Sequence, residues 1–335
     1  MKLSIITTIY QAEKDLPRLL DSMMAQRSSE LEFFLIDNGC TDGSAAICAD
    51  YANRDSRFKI HTLKDNIGYI GARNLGLDIV DADYIGFCDS DDYLEPGGYD
   101  RAIEEIKLTG CQLYISDWKT HRCGKVVINR VPIMSGFYNQ EQIQELIPQF
   151  WGNYNKKKTF VPAFMWKQIV SKNLVENIRF NLNLKPCEDI VFNAEVIQKT
   201  SKLKVSQNIL YNYISNSSSI TAKMQNDYNF ADDYNRCIQL RESLITLTDK
   251  LECITANANK SLHGIRTSIS NLTRHKGIIV GYKEFKKITD REYIKEFCRI
   301  SRPYNFSDCI LKYMLLYGGI GLLPFVMIGV LNKLR

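Results

Sequence analysis

The sequence predicts an α/β fold built on a mainly parallel β-sheet. Over the first third of the 335-residue chain, short apolar segments of the kind that form buried strands alternate with segments of helical periodicity. Such alternation produces right-handed crossovers and parallel strands. Polar residues follow each predicted strand, and ligands of parallel sheets bind beyond the carboxyl ends of the strands. The pattern therefore indicates both the fold class and the edge where a ligand would bind.

Four strands are predicted in this region, and each ends in polar residues. The strands are Leu3–Tyr10, Leu31–Ile36, Phe58–Leu63 and Asp83–Cys88. The polar residues at their ends are Thr8 and Tyr10, Asp37, Asn66, and the stretch Asp89–Asp92. Because four independent loops would meet at one edge of the sheet, the sequence predicts a nucleotide site there.

Four helices are predicted between and after these strands, over residues 15–26, 42–53, 71–79 and 96–108. Pro17 is compatible with the first turn of the first helix, and Thr41 or Asp42 can cap the second. Pro96 is suited to open the fourth.

The acidic stretch is the most informative segment of the chain. The apolar run that begins at Tyr84 ends in three carboxylates within four positions, Asp89, Asp91 and Asp92. Hard divalent cations bind carboxylate oxygens and keep coordination positions open for phosphate, so a metal that carries a phosphate is expected here. The alternative is an ordinary polar turn, since Asp and Ser are common in turns.

Charge is distributed unevenly along the chain. Residues 1–110 contain 11 Lys and Arg and 20 Asp and Glu, a net charge of −9, whereas residues 111–335 contain 32 and 18, a net charge of +14. The first part is suited to hold a cation, and the second to meet a phosphorylated acceptor or a membrane surface. No nucleic-acid recognition motif is present, and nucleic acid is not an expected partner. Ordinary solvated lysines are the alternative.

Cysteine and histidine usage indicates a cytosolic protein without a structural metal. The ten cysteines form no CxxC pair, and a strand-like segment begins at Lys2 where a secretory signal would stand. The four histidines are scattered and have no ligand spacing.

Three regions are expected along the chain. Residues 1–222 would form the α/β domain, with the predicted nucleotide site in its first half, over 1–120, and a second half over 121–222. Residues 223–305 are expected to form a helical appendage, because residues 227–275 show helical periodicity, and a homodimer contact there is left open. Residues 306–335 form a hydrophobic tail in which the uncharged run 313–331 is long enough to span a bilayer, to lie in its interface, or to pack in a core.

The sequence resembles the family 2 glycosyltransferases, which have the GT-A fold, a Rossmann-like nucleotide-binding fold. Over roughly the first 120 residues, five segments follow the order and spacing of the family: Ser4–Tyr10, Asp37–Ser44, Asn66–Gly68, Ala72–Asn74 and Phe87–Asp92. Three later segments resemble the polysaccharide-assembling members: Ala163–Lys167, Ile178–Phe180 and Cys187–Phe192. In the second segment, Asn38 and Cys40 replace the Asp and Ser of the commoner family form.

The resemblance implies a donor site for a nucleotide-sugar, with UDP as the expected nucleotide. Asp37 would accept a hydrogen bond from the uracil ring, because an ionised carboxylate only accepts. Further residues implied on this side are Thr8, Tyr10, Asn66, Arg73 and Ser90. Asp89 and Asp91 would be the DxD pair that holds Mn²⁺ or Mg²⁺, with Asp91 as a direct ligand. Strand alternation would place both carboxylates on one side.

The resemblance also implies an acceptor side, so the domain 1–222 would be catalytic, with a nucleotide-sugar half over 1–120 and an acceptor half over 121–222. Glu188 and Asp189 match the family's ED motif, and Asp189 would be the catalytic base that takes a proton from the attacking hydroxyl. Trp166 is expected on the same side. Attack opposite the leaving group would invert the anomeric centre.

The resemblance thus implies a metal-dependent inverting glycosyltransferase. Its acceptor would be a growing surface polysaccharide or a lipid-linked saccharide. The protein would be cytoplasmic, on the inner membrane surface, peripheral or anchored through its tail. A non-catalytic nucleotide-sugar-binding scaffold on the same fold is the alternative. A nucleotidyltransferase is less favoured, because residues 7–12 do not form a Gly-rich phosphate loop.

Overall fold

A computed structural model describes residues 1–152, 160–184 and 188–215, and shorter stretches between residues 254 and 315. The shorter stretches are residues 254–259, 262, 265, 266, 269, 277–283, 286, 298–301, 309, 311, 312 and 315. The chain divides into two compact units. The first unit comprises residues 1–145, 163–182 and 195–215, and the second comprises residues 146–162, 183–194 and 216–335.

The first unit contains an α/β fold on a sheet in which ten strands are described. In chain order the strands are β1 (Leu3–Ile9), β2 (Leu31–Asn38), β3 (Phe58–Leu63), β4 (Tyr84–Asp89), β5 (Tyr93–Leu94), β6 (Leu113–Arg122), β7 (Lys125–Asn129), β8 (Gly136–Tyr138), β9 (Gln168–Ser171) and β10 (Leu203–Ile214). The spatial order is β3-β2-β1-β4-β9-β6-β10-β5, with β7 on β6 and β8 on β10.

Most of the central strands run in one direction. Strands β3, β2, β1 and β4 are mutually parallel, and β10 is parallel to β6. Strand β9 is antiparallel to both β4 and β6, so β6 and β10 run in the same direction as β4. The carboxyl ends of six strands therefore lie at one edge of the sheet. This arrangement confirms the predicted α/β fold class and mainly parallel sheet.

The helices of the nucleotide half begin and end close to the predicted positions. They are α1 (Leu16–Met24), α2 (Ser44–Arg54), α3 (Gly68–Ile79) and α4 (Gly98–Thr109). Two further helices, α5 (Gln140–Trp151) and α6 (Glu188–Lys199), follow. The apolar faces of β1 and α1 are fully buried, as their sequence patterns require. Gly76 allows α3 to approach the sheet closely, because a Cβ there would lie 2.7 Å from Ile6 Cγ2.

The described part of the C-terminal region is helical. Residues 254–259 and 277–283 are helical, and residues 256, 258, 262, 265 and 269 are buried. The predicted boundaries at 222 and 305, and nearly all of the run 313–331, lie outside the described residues. Within the described residues, none of the helices has the length and apolarity needed to traverse a bilayer.

Candidate functional site

The parallel register brings the predicted donor residues to the carboxyl edge of the sheet. Thr8 lies beside Asp89 on β4, and Ile9 lies beside Asp37 on β2. Asp37 in turn lies beside Thr62 on β3. Polar side chains from β1, β2 and β4 therefore form a row at this edge, where the sequence analysis placed them.

Asp37 is buried at the end of β2, with only 3% of its surface exposed. Its Oδ1 accepts a hydrogen bond from the Cys40 backbone N–H at 2.9 Å, which closes the turn that leads towards α2. Burial raises the pKa of the Cys40 thiol to about 11, so this thiol stays neutral at physiological pH. The turn therefore fixes the direction of the Asp37 carboxylate.

Asn38 connects the end of β2 to the loop before α3, a role that was not predicted. Its Nδ2 donates to Asn66 Oδ1 at 3.1 Å, and its Oδ1 accepts from the Ile67 N–H at 3.0 Å. Asn66 Oδ1 also accepts from the Gly68 N–H at 2.7 Å. The side-chain carbonyl oxygen of Asn66 thus accepts hydrogen bonds from within the chain. The signal for this link was the amide at position 38, which can donate and accept where a carboxylate only accepts.

Tyr10 stands at the rim of the site, with 51% of its surface exposed. The next residue, Gln11, has a φ of +51°, which is unusual for a residue other than Gly, Asn or Asp. Its side chain makes two hydrogen bonds with Thr41: Nε2 donates to Oγ1 at 3.0 Å and Oε1 accepts from the backbone N–H at 2.9 Å. These bonds hold the turn that presents the Tyr10 ring and hydroxyl to solvent.

The acidic stretch leaves the sheet earlier than the alternation argument assumed. Strand β4 ends at Asp89, and residues 90–92 form a turn, so the prediction that strand alternation places Asp89 and Asp91 on one side rests on the wrong geometry. Asp89, Ser90 and Asp91 are partly exposed, whereas Asp92 is 1% exposed. We refer to residues 89–92 together as the acidic turn. The three carboxylates therefore have different environments.

Asp92 points into the protein and is held by strand β10. Its Oδ2 accepts from the Tyr211 hydroxyl at 2.9 Å, and its Oδ1 accepts from the Ile214 N–H at 2.6 Å. The oxygen of the same hydroxyl accepts from the Asp89 backbone N–H at 2.9 Å. One phenol thus bridges the last residue of β4 and the buried carboxylate of the acidic turn. No sequence pattern could have joined these residues, because they are more than 100 positions apart.

The acidic turn is an electronegative site that suits a divalent cation. Burial raises the pKa of Asp91, and repulsion from Asp89 raises it further. Burial raises the pKa of Asp92 well above its usual range, with further contributions from Asp89 and Asp91. A cation near these oxygens would relieve this repulsion. Two partly exposed carboxylates are the donor set that Mg²⁺ takes when substrate phosphate and water complete its coordination. In the part of the chain that the structure describes, no group of three or more His, Cys, Asp or Glu side chains forms a metal site.

Two arginines contact the acidic turn from different helices. Arg73 on α3 is 7% exposed, and its Nη2 lies 2.9 Å from Asp89 Oδ1. The Arg73 guanidinium also lies over the rings of Tyr69 and Phe180, at 5.3 and 5.6 Å from their centroids. Arg18 on α1 donates to the Asp91 carbonyl oxygen at 2.5 Å. Arg73 thus lies close to the acidic pair, and its predicted contribution to the donor side stays a prediction.

Trp166 lies in a stack of aromatic rings behind the acidic turn. Its ring is parallel to those of Tyr211 and Phe164, with centroids 4.5 and 4.8 Å away. Tyr213 stacks on it at 5.8 Å. Trp166 is 5% exposed, whereas Phe164 is 41% exposed. Trp166 thus supports the Tyr211 ring, and its predicted contribution to the acceptor side stays a prediction.

A polar network that sequence reasoning missed lies next to the acidic turn. His121 Nε2 on β6 lies 3.1 Å from Tyr93 Oη and 2.8 Å from Asn212 Oδ1. Asn212 Nδ2 donates to Glu95 Oε2 at 2.8 Å, and Lys119 Nζ contacts Glu95 Oε1 at 2.7 Å. Because Asn212 donates to Glu95, its carbonyl faces the imidazole, and His121 carries a proton on Nε2. The network joins β5, β6 and β10 at the edge where the acidic turn lies.

Glu188 and Asp189 are the first two residues of α6 and belong to the second unit. Glu188 is 6% exposed, and Asp189 is partly exposed. The Asn193 side chain donates to the Asp189 carbonyl oxygen at 2.8 Å. A helix N-terminus stabilises ionised carboxylates, which suits a base. The catalytic role of Asp189 stays a prediction.

Comparison with known proteins gives consistent matches. The model of the family described as glycosyl transferase family 2 matches residues 4–172. The uncharacterized glycosyltransferase EpsJ of Bacillus subtilis is 30% identical over 228 residues, which cover 65% of this chain and 62% of EpsJ. The chain thus spans less than two thirds of that relative's length.

Solved structures with the same fold include S. aureus TarS 1–349 in complex with UDP-GlcNAc. Its TM-score is 0.64 at 17% identity, over 100% of this chain and 92% of that chain. The mannosyltransferase PcManGT from Pyrobaculum calidifontis, in complex with GDP-Man and Mn²⁺, has a TM-score of 0.54 at 10% identity, over 99% and 88% of the two chains. At these identities the likeness shows the shared GT-A fold.

Proposed function

Because the chain belongs to glycosyl transferase family 2, we propose that it transfers a sugar from a nucleotide-sugar, with inversion and with the help of a divalent metal. The observation that carries the proposal is the acidic turn after β4. Its two partly exposed carboxylates lie at the carboxyl edge of a parallel sheet, next to Thr8 and close to the end of β2. Parallel sheets bind nucleotides at this edge.

The nucleotide would bind over β1, β2 and the loop before α3. Asp37 is buried, and a bond to its own turn fixes its orientation, so it can serve as an oriented acceptor for a base N–H. Tyr10 offers an exposed ring for the ribose or the base. Thr8, Asn66 and Ser90 would complete the donor side. UDP is the proposed nucleotide, in keeping with the UDP-GlcNAc complex of TarS.

Asp89 and Asp91 would hold Mn²⁺ or Mg²⁺, which when bound neutralises charge on a diphosphate. The proposal is supported by the mutual repulsion of the carboxylates in the acidic turn and by the Mn²⁺ complex of PcManGT. Arg73 holds the Asp89 carboxylate through a charge-assisted bond. Its guanidinium would thereby orient this ligand and place positive charge close to the leaving group.

Asp189 is proposed as the base that accepts the proton of the acceptor hydroxyl as this oxygen bonds to the anomeric carbon. The nucleoside diphosphate leaves from the opposite face, and the anomeric centre inverts. Glu188 and Trp166 are proposed on the acceptor side. The acceptor would be a growing surface polysaccharide or a lipid-linked saccharide at the cytoplasmic face of the membrane, reached with the help of the tail 306–335.

The test is release of UDP or GDP from a panel of nucleotide-sugars, with membranes of the host as the acceptor source. Asp91→Asn and Asp189→Asn are expected to abolish transfer and to leave the melting temperature unchanged. Asp78→Asn, an exposed aspartate on α3, is the matched control and should keep full activity. Full activity of Asp189→Asn would remove that residue from the mechanism. Calorimetric binding of UDP and Mn²⁺ without turnover would support the non-catalytic scaffold.

A further inference from the structure

The β6–β7 hairpin is an edge feature whose surface no part of the proposed reaction uses. Strands β6 and β7 pair in antiparallel fashion, with Trp118 beside Asn129 and Arg122 beside Lys125. Cys123 and Gly124 form the turn, with φ angles of 50° and 74°. Among the described strands, β7 pairs only with β6, so its outer edge meets no other described strand.

The outer strand is exposed on both faces and is apolar in the middle. Residues 122–128 are all exposed. Val126 and Val127 are each 55% exposed, and Ile128 is 49% exposed. Because successive side chains of a strand point to opposite faces, exposure of all three means that neither face packs on the core of the unit. Adjacent exposed β-branched residues on a free edge are characteristic of a contact surface.

The charge around these apolar residues has one sign. No Asp or Glu occurs between residues 118 and 140, a stretch that contains Lys119, Arg122, Lys125 and Arg130. Lys119 is paired with Glu95, and Arg130 with Asp117. Arg122 and Lys125 are exposed and lie side by side at the turn. The hairpin thus presents two cations at its tip and three apolar side chains directly behind them.

We propose that this hairpin docks on an anionic lipid surface. Cationic and apolar groups together match the interface of a bilayer, where the cations meet lipid phosphates and the apolar side chains enter the boundary of the acyl region. A soluble polyanion would leave the three apolar residues without a partner. A second copy of the chain would bring Arg122 and Lys125 of both copies to one seam, with no Asp or Glu between residues 118 and 140 to match them.

Docking through the hairpin would bring the candidate site close to the membrane. His121, one residue before the tip cation Arg122, lies 3.1 Å from Tyr93, which directly follows the acidic turn. An acceptor carried by lipid would then approach from the side on which the metal ligands lie. Lipid binding by the β6–β7 hairpin requires neither the tail 306–335 nor catalysis. Lipid binding and sugar transfer are therefore tested separately.

The test is co-sedimentation of the full-length chain with vesicles of phosphatidylcholine, alone or mixed equally with phosphatidylglycerol. Arg122→Gln/Lys125→Gln should weaken binding to the anionic vesicles about 25-fold, since each basic residue near such a surface contributes about fivefold. Val127→Ser should weaken it less. Lys59→Gln/Lys64→Gln removes the same charge from exposed sites at β3 and serves as the control.

Three results would overturn the proposal. Equal binding of the hairpin variant and the Lys59/Lys64 control would assign any lipid affinity to another part of the chain. Binding that does not depend on phosphatidylglycerol would exclude recognition of anionic lipid. A dimer in light scattering that Val127→Asp dissociates, with unchanged lipid binding, would assign the hairpin to a second copy. Circular dichroism confirms that each variant is folded.

Discussion

Replacement of Tyr211 by Phe tests whether the site depends on one buried hydroxyl. The Tyr211 hydroxyl donates to Asp92 Oδ2 at 2.9 Å, and its oxygen accepts from the Asp89 N–H at 2.9 Å. Tyr211 is fully buried, and its ring stacks on Trp166 at 4.5 Å. Phenylalanine keeps the ring and the stack, so the variant removes the hydroxyl and little else.

The expected loss in the free energy of unfolding is larger than that for removal of a tyrosine hydroxyl with a single partner. A buried donor or acceptor left without a partner costs about 1–3 kcal/mol, and a charged one costs more. Tyr211→Phe leaves both the Asp89 N–H and Asp92 Oδ2 without this partner, which gives about 2–6 kcal/mol in the free energy of unfolding. Tyr84→Phe, on strand β4, is the matched control. The Tyr84 hydroxyl donates only to the Cys111 carbonyl oxygen, at 2.8 Å, so its removal should cost about 1 kcal/mol.

Urea unfolding of the two variants measures this difference, and the Mn²⁺ dependence of nucleotide release measures its effect on the site. Because Asp92 and the Asp89 backbone hold the acidic turn in place, Tyr211→Phe should require more Mn²⁺ for half-maximal activity, with partial recovery at saturating metal. Tyr84→Phe should leave the metal requirement unchanged. Equal losses of stability in the two variants, together with equal metal requirements, would show that the hydroxyl does not position the turn.

Three further changes test other parts of the fold. Gly98→Ala should lower the free energy of unfolding by about 2–3 kcal/mol, because a Cβ at position 98 would lie 2.5 Å from the Ile209 carbonyl oxygen. Gly110→Ala should lower it by only about 1–2 kcal/mol, because position 110 has a φ of +60° but open space around it. Urea unfolding of the two variants measures the difference. Burial lowers the pKa of Lys167 to about 7, so between about pH 8 and 9 the unfolded chain binds nearly one more proton here than the folded chain. Stability of the wild type should therefore rise with pH relative to Lys167→Met, by about 1.4 kcal/mol per unit, and parallel pH profiles would contradict this. Asn38→Asp should lower stability by about 1 kcal/mol, since a carboxylate cannot donate to the following loop; an unchanged melting temperature would show that the loop amide reorients.

The nucleotide half could be predicted because its signals are local. The apolar runs of β1 to β4 and the periodicity of the helices between them decide each element from its own residues. The direction of a parallel sheet then places Thr8, Asp37 and Asp89 at one edge without knowledge of any contact. The four predicted strands and four predicted helices differ from the structure only at their ends, such as α3, which begins at Gly68 rather than Gly71.

The second half of the sheet could not be predicted in the same way, because its order depends on contacts between distant residues. Strand β9 lies antiparallel between β4 and β6, and β10 returns beside β6 after about 80 intervening residues. The environments of His121 and Asn212 follow from this topology alone. A sequence pattern records which residues are polar, but it does not record which distant strand they meet.

The acidic turn shows how this distinction decides function. Asp89, Asp91 and Asp92 are identical in side chain and nearly adjacent, so composition assigns them equal roles. The structure separates them because strand β10 supplies Tyr211 and the Ile214 N–H to Asp92, and burial then removes this carboxylate from solvent. A buried carboxylate with both oxygens engaged is poorly suited to bind a cation, whereas its partly exposed neighbours keep access to one. Strand β10, more than 100 residues away in the chain, therefore decides which carboxylates of the turn stay accessible to a cation, and the proposed metal site rests on this division of roles.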